Sequence, residues 1–217
     1  HRDLHSFPTR RSSDLNTSLN VNDGNVICTG LSSTNSGNNG RDCKVAIATG
    51  TLTVNGNISM GNNAVRNDIT FSDAGTLTVT GNLTTGTLVG NAATINVGGT
   101  FTPTTFTANT STVNYNGTGA QVVSAYNYHN LTISENRTTN NITLVAGGVI
   151  GVANVFDPTA SFTTGNYVIT NNTINFNGTG AQTIPAFNYN NLTISGGRTT
   201  NSVTLANTGI IGVAYTF

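Results

Sequence analysis

One block of this chain occurs twice. Residues 112–156 read TVNYNGTGAQVVSAYNYHNLTISENRTTNNITLVAGGVIGVANVF, and residues 173–217 read TINFNGTGAQTIPAFNYNNLTISGGRTTNSVTLANTGIIGVAYTF. The offset is about 61 residues with no gap, and roughly 28 of about 45 positions are identical. Most differences exchange like for like, as Val113 for Ile174, Tyr115 for Phe176 and Ile142 for Val203. A strand-and-turn pattern that keeps its apolar positions while drifting in detail is held for its shape. One such unit cannot bury its own apolar face and must stack on neighbours. The duplication therefore predicts a repetitive β-array built to be extended, not a single reaction centre.

Residues 1–15, HRDLHSFPTRRSSDL, stand outside this pattern. They resemble, codon by codon, the conceptual translation of a widely used sequencing-adapter oligonucleotide. On that resemblance they are not native, and His1, Arg2, His5, Arg10 and Arg11 form neither a nucleic-acid patch nor a metal site. A signal peptide would need an apolar stretch next, and residues 16–25 (NTSLNVNDGN) are polar. At the other end the second copy stops where the first runs on into residues 157–165. The expectation is an internal segment of a longer chain, with any signal peptide lying outside it.

Without residues 1–15, charge nearly vanishes, and between Asp73 and Glu135 no side chain is charged. No electrostatic footprint for nucleic acid or an anionic membrane survives. No run of eighteen or so apolar residues exists to cross a bilayer as a helix. Strong helix formers are scarce and no lasting i, i+3, i+4 apolar pattern occurs, so almost no helix is expected.

Short apolar/Thr/Asn alternations recur instead: 52–54, 57–59, 69–71, 77–79, 82–84, 94–97, 100–102, 112–115, 121–123, 130–133 and 142–144. They are parted by NG, GN, GG or TG, which are turn signals. Comparable strands return every 18 to 25 residues or so, the length of one coil of a parallel β-solenoid, and a 61-residue repeat then equals about three coils of roughly 20. The predicted fold is all-β, a parallel β-solenoid (β-helix) over 50–217, after an irregular or capping β segment at 16–49. Antiparallel β-sandwich repeats, with a hairpin at each NG, are the alternative.

LTVNGNIS at Leu52, LTVTGNLT at Leu77, INVGGTFT at Ile95, VNYNGTGAQ at Val113, INFNGTGAQ at Ile174 and NLTIS at Asn130 and Asn191 carry a family resemblance. They resemble the repeats of adhesin-like surface and secreted proteins of Bacteroidetes and, more loosely, filamentous-haemagglutinin-type β-helices. The resemblance covers residues 50–217. It implies export, a cell-surface or extracellular location and adhesion, and it brings no catalytic motif.

The candidate site residues are few. Cys28 and Cys43 bracket a Ser/Asn/Gly-rich loop at 31–42, and a disulfide closing it would contribute about 3 kcal/mol. Two cysteines cannot build a zinc site alone. Arg137 and Arg198 occupy equivalent RTTN turns, either capping turn carbonyls or contacting a glycan or polyanion. Tyr128 and Tyr189, each preceded by an aromatic at Tyr126 or Phe187, either pack at a corner or stack on sugars. Gly117, Gly119, Gly178 and Gly180 are read as solvent-exposed corners that turn through positive φ, with Gln121 and Gln182 bonding to neighbouring coils. The carboxylates are scattered, and Glu135 is replaced by Gly196 in the second copy, so no acid–base pair is in view. The expected function is a non-enzymatic structural or adhesive segment, monomeric within a longer exported bacterial surface protein. It would need no cofactor and would meet host or environmental glycans. A carbohydrate-binding module using exposed tyrosines and an ice-binding threonine ladder are the alternatives. The ladder would require a constant coil length, which these spacings lack.

Overall fold

The computed structural model describes residues 17–33 and 42–217. The adapter-like residues 1–15 and most of the 31–42 loop lie outside the described residues. No described residue is helical, and the strand pairings within each unit are parallel. The fold is the all-β parallel solenoid. Antiparallel pairing would need consecutive strands to be neighbours; here each strand pairs with one a whole coil away. The chain forms two compact units that divide between Ser111 and Thr112.

In the first unit, Asn25–Cys28, Thr51–Val54, Thr76–Val79 and Thr94–Val97 stack in strict register. Inward positions form continuous columns, Leu52–Leu77–Ile95 and Val54–Val79–Val97, and all six side chains are buried. Each such side chain contributes about 1.5–3 kcal/mol by leaving water. The outward positions between them are Thr51, Thr76 and Thr94 and then Thr53, Thr78 and Asn96, as the period-2 pleat requires. The segment expected to be irregular or capping β structure consists of strands where described. Thr17–Val21 and Cys43–Ile47 stack on Asn67–Phe71 in the second sheet.

Coil length varies for a simple reason. Leu83–Val89 pairs through its first residues with Ile58–Ser59 and through its last with Asn67–Phe71. One long strand thus replaces two short strands and the corner at 60–66 between them. Asn57 and Asn82 stack 25 residues apart, whereas Thr84 and Thr102 in the next coil stack 18 apart. The extra residues leave the sheet through the corner, so the faces keep register although coils differ in length. Asn lines the corners as expected. The Asn57 Oδ1 accepts from the Asn82 N–H at 2.8 Å, and the Asn82 Oδ1 from the Thr100 N–H at 2.9 Å.

The second unit stacks Thr112–Tyr115, Asn127–Ile133, Val149–Pro158, Thr173–Phe176, Asn188–Ile194 and Gly212–Thr216. Leu131 and Leu192 both point inward and are fully buried, three strand steps apart, as the three-coil repeat predicts. Shorter strands make the remaining faces: Gln121–Val123 under Ile142–Leu144 and Tyr167–Val168, Asn136–Arg137 under Ser161–Phe162, and Gln182–Ile184 under Val203–Leu205.

Candidate functional site

The most elaborate chemistry lies in the duplicated unit, and it occurs once per copy. Just after the Thr112–Tyr115 strand, the Gln121 side chain folds back so that its Oε1 accepts the Gly117 N–H at 3.0 Å. The same oxygen accepts from the Arg137 Nη2 at 2.5 Å, 16 residues on. The Arg137 Nη1 donates to the carbonyls of Ser134 (2.5 Å) and Glu135 (3.3 Å), its Nε to Gly119 (3.4 Å) and its Nη2 also to Tyr115 (3.4 Å). The second copy repeats the arrangement. Gln182 accepts from the Gly178 N–H and from the Arg198 Nη2, and Arg198 donates to Ser195, Gly180 and Phe176. The Gln182 Nε2 reaches the preceding coil, donating to the carbonyls of Val152 (2.9 Å) and Asn154 (3.2 Å).

This clip uses the arginine for shape. A planar fork of five N–H donors can serve several carbonyls that no other side chain could reach together. Arg137 is completely buried, and burial lowers its affinity for the proton. It caps turn carbonyls and offers no free donor edge to a glycan or polyanion. Arg198 is only half-buried, yet its fork is occupied in the same way.

The tyrosines are equally committed. Tyr128 and Tyr189 are both buried, which removes them as sugar-stacking platforms. The Tyr115 and Tyr128 hydroxyls lie 2.8 Å apart, Tyr128 donates to the Ser124 carbonyl at 2.9 Å, and the Ser124 N–H donates to the Tyr115 hydroxyl at 3.3 Å. The second copy changes both ends of that last bond. Pro185 stands for Ser124 and lacks the N–H; Phe176 stands for Tyr115 and lacks the hydroxyl. Losing donor and acceptor together leaves neither stranded. Tyr189 keeps its bond to the carbonyl of residue 185, at 3.1 Å.

Burial raises the pKa of Tyr115 to about 12, and burial also raises that of Tyr128. A phenol whose folded pKa lies above its unfolded value keeps its proton when the unfolded chain has lost it. The stability it supports is intact below about pH 10 and falls as pH rises toward 12, by about 1.4 kcal/mol per pH unit per tyrosine. Alkaline titration should therefore show these phenolates appearing at 295 nm together with loss of β-structure by circular dichroism. Phenolate absorbance saturating near pH 10 with the fold intact would contradict the burial.

The glycine corners differ from expectation. Gly117 and Gly178 are buried, while Gly119 and Gly180 are exposed, and none of the four has positive φ. Gly178 is required by close approach: a Cβ there would overlap the Ala153 carbonyl oxygen of the preceding coil. At Gly119 and Gly180 a Cβ would meet open space. Positive φ falls instead on Glu135 (75°) and its counterpart Gly196 (89°). This accounts for the exchange of Glu for Gly between copies, since the position selects for left-handed backbone. Glu135→Gly should raise the urea midpoint, by about 0.5–1 kcal/mol of stability; a lowered midpoint would show that its carboxylate matters.

The Cys28–Cys43 disulfide is not formed: both thiols are free. Cys28 extends the Val54–Val79–Val97 column of one sheet, whereas Cys43 opens a strand of the other, beside the Thr17 and Ser33 side chains. Burial raises the pKa of both thiols.

Among the described residues no three His, Cys, Asp or Glu side chains gather as metal ligands would. A cleft of about 700 Å³ in the second unit is lined by Phe162, Tyr167, Phe187 and Ile210, with Asn166 and Asn188 as polar members. It contains no carboxylate. Sequence reasoning passed over its aromatics because Phe162 and Tyr167 lie outside the 112–156 and 173–217 blocks. Their edge-to-face contact at 5.0 Å matches that of Phe101 and Phe106 at 5.1 Å, about 61 residues earlier, so the structural repeat begins before the obvious sequence repeat. No family model, curated protein or solved structure matches the chain.

Proposed function

We propose that this chain is a non-enzymatic structural and adhesive repeat segment of a large exported bacterial surface protein. One observation carries the reading. In both copies the side chains with chemical potential, Arg137 and Arg198, Gln121 and Gln182, Tyr128 and Tyr189, are committed to holding corners and coils together. Changes between copies remove bonding partners in pairs, as at Ser124/Pro185 with Tyr115/Phe176, so what is kept is the stack. A contact with host or environmental glycans would fall to the outward Thr and Asn rows, not to the tyrosines. The test is accessibility on the cells that make the protein. Antibodies against 173–217 should label intact cells, and external protease should abolish the labelling. Labelling only after lysis would overturn the surface assignment.

Ice binding is a second reading, favoured by the in-register Thr51–Thr76–Thr94 row beside Thr53–Thr78. Variable coil length does not exclude it, because the added residues leave through the corners. The rows are short, however, and interrupted by Asn96 and Asn25. The structural reading predicts no thermal hysteresis in the purified chain, and a measurable freezing-point gap would favour the ladder instead.

A further inference from the structure

The duplication supplies an internal comparison of one edge, covered and uncovered. In the first copy a coil lies over it: Ser161–Phe162 pairs with Asn136–Arg137, Tyr167–Val168 with Ile142 and Thr143, and Thr173–Phe176 with residues 149–152. Under that coil Ile133 and Arg137 are fully buried, Leu144 is 1% exposed and Phe156 3%. One repeat later the same positions are Ile194, Arg198, Leu205 and Phe217. Ile194 is 44% exposed, Leu205 57% and Phe217 78%, and Arg198 is only half-buried. Ile210 is exposed too, but so is its counterpart Val149 beneath the coil, which marks that position as outward. The gain in exposure therefore falls on the inward, core-type positions.

We infer that the edge formed by Arg198, Val203–Leu205 and residues 210–213 is an acceptor for one more coil of the repeat's own sequence, of the pattern found at 157–176. The register follows from the first copy. Ser161 and Phe162 of the incoming coil lie opposite Gly197 and Arg198, Tyr167 and Val168 opposite Val203 and Thr204, and Thr173–Phe176 opposite residues 210–213. Backbone pairing alone would accept any strand, as open sheet edges do. Selectivity comes from the side chains. Phe162 and Tyr167 pack edge to face and roof the buried Arg137, with the Tyr167 phenol close enough to act on its charge. Arg198 presents the same guanidinium without a roof.

The test extends the full chain after Phe217 with a second copy of residues 157–176, and compares it with a scrambled extension of the same composition. Amide hydrogen exchange at Val203, Leu205 and Val213, whose counterparts face the covering coil, should slow by about tenfold or more with the native-sequence extension and stay unchanged with the scrambled one. Asp at the appended positions corresponding to Phe162 and Tyr167 should abolish the protection. Equal protection by both extensions, or by neither, overturns the inference. Protection of the unextended chain that grows with its concentration would name a second whole molecule as the occupant, and would overturn it as well.

Discussion

Arg137→Ala is expected to destabilise the second unit by about 3–5 kcal/mol, while Arg198→Ala costs about 1 kcal/mol or less. The two arginines make corresponding bonds, except that only Arg137 reaches the carbonyl of the next turn residue, Glu135, and they differ in burial. Removing Arg137 takes a donor from the carbonyls of Tyr115, Gly119, Ser134 and Glu135 and from the Oε1 of Gln121. Tyr115, Glu135 and Gln121 keep a backbone donor in Ser134, Ser161 and Gly117, so the loss falls on the Ser134 carbonyl and on the cavity left by a fully buried side chain. Each buried acceptor left without a donor costs about 1–3 kcal/mol, offset in part where another group or water can enter. At Arg198 water can reach the same carbonyls, so the loss is small. Arg137→Lys should recover little, because an ammonium cannot serve carbonyls spread around a planar fork. Urea midpoints of the three variants measure this. Equal losses at both arginines would mean that burial does not set the strength of the clip.

Gly178→Ala is expected to lower the thermal midpoint by roughly 10 °C or more, from a loss of about 3 kcal/mol. The added methyl group meets the Ala153 backbone carbonyl, which cannot swing aside as a flexible side chain could. The coil must shift, and the Asn177 N–H bond to the Val152 carbonyl at 3.0 Å shifts with it. Gly180→Ala, two residues away in open space and without positive φ, should leave the midpoint unchanged or slightly raised. A matched drop at both positions would indicate a general need for flexibility in the turn, not close packing of coils.

The fold was legible because its determinants are local. Alternating Leu, Val and Ile with outward Thr give the strands, NG and GN give the corners, and a gap-free duplication leaves stacking as the way to bury both faces. The site was less legible, for physical reasons. Turn carbonyls as partners for Arg137 and Arg198 followed from the RTTN context, but sequence could not rank that against a glycan contact, since backbone acceptors leave no mark in it. The burial of Tyr128 and Tyr189 is foreshadowed by the exchange of the neighbouring Tyr126 for Phe187 and by the joint exchange of Tyr115 and Ser124 for Phe176 and Pro185. Gly178 reads as a turn glycine until the neighbouring coil is placed beside it. The disulfide failed because loop length says nothing about which sheet each cysteine joins. Individual strands at 17–32 and 43–47 were not placed within the expected irregular or capping β segment because it shares little of the repeated sequence.

Engineered cysteine pairs test the parallel, in-register stacking of coils. The Thr84 and Thr102 hydroxyls lie 2.9 Å apart across one coil step, and those of Thr183 and Thr204 3.1 Å apart. Parallel neighbours stand about 4.8 Å apart, inside the roughly 4.4–6.8 Å between Cα atoms that a disulfide accepts. With Cys28 and Cys43 replaced by Ser, the pairs Thr84→Cys/Thr102→Cys and Thr183→Cys/Thr204→Cys should each oxidise completely to an intramolecular bridge. Thr84→Cys/Thr105→Cys, on the same two strands but out of register, should stay reduced over the same time. Failure of both in-register pairs, or equally fast bridging of the out-of-register pair, would contradict the solenoid.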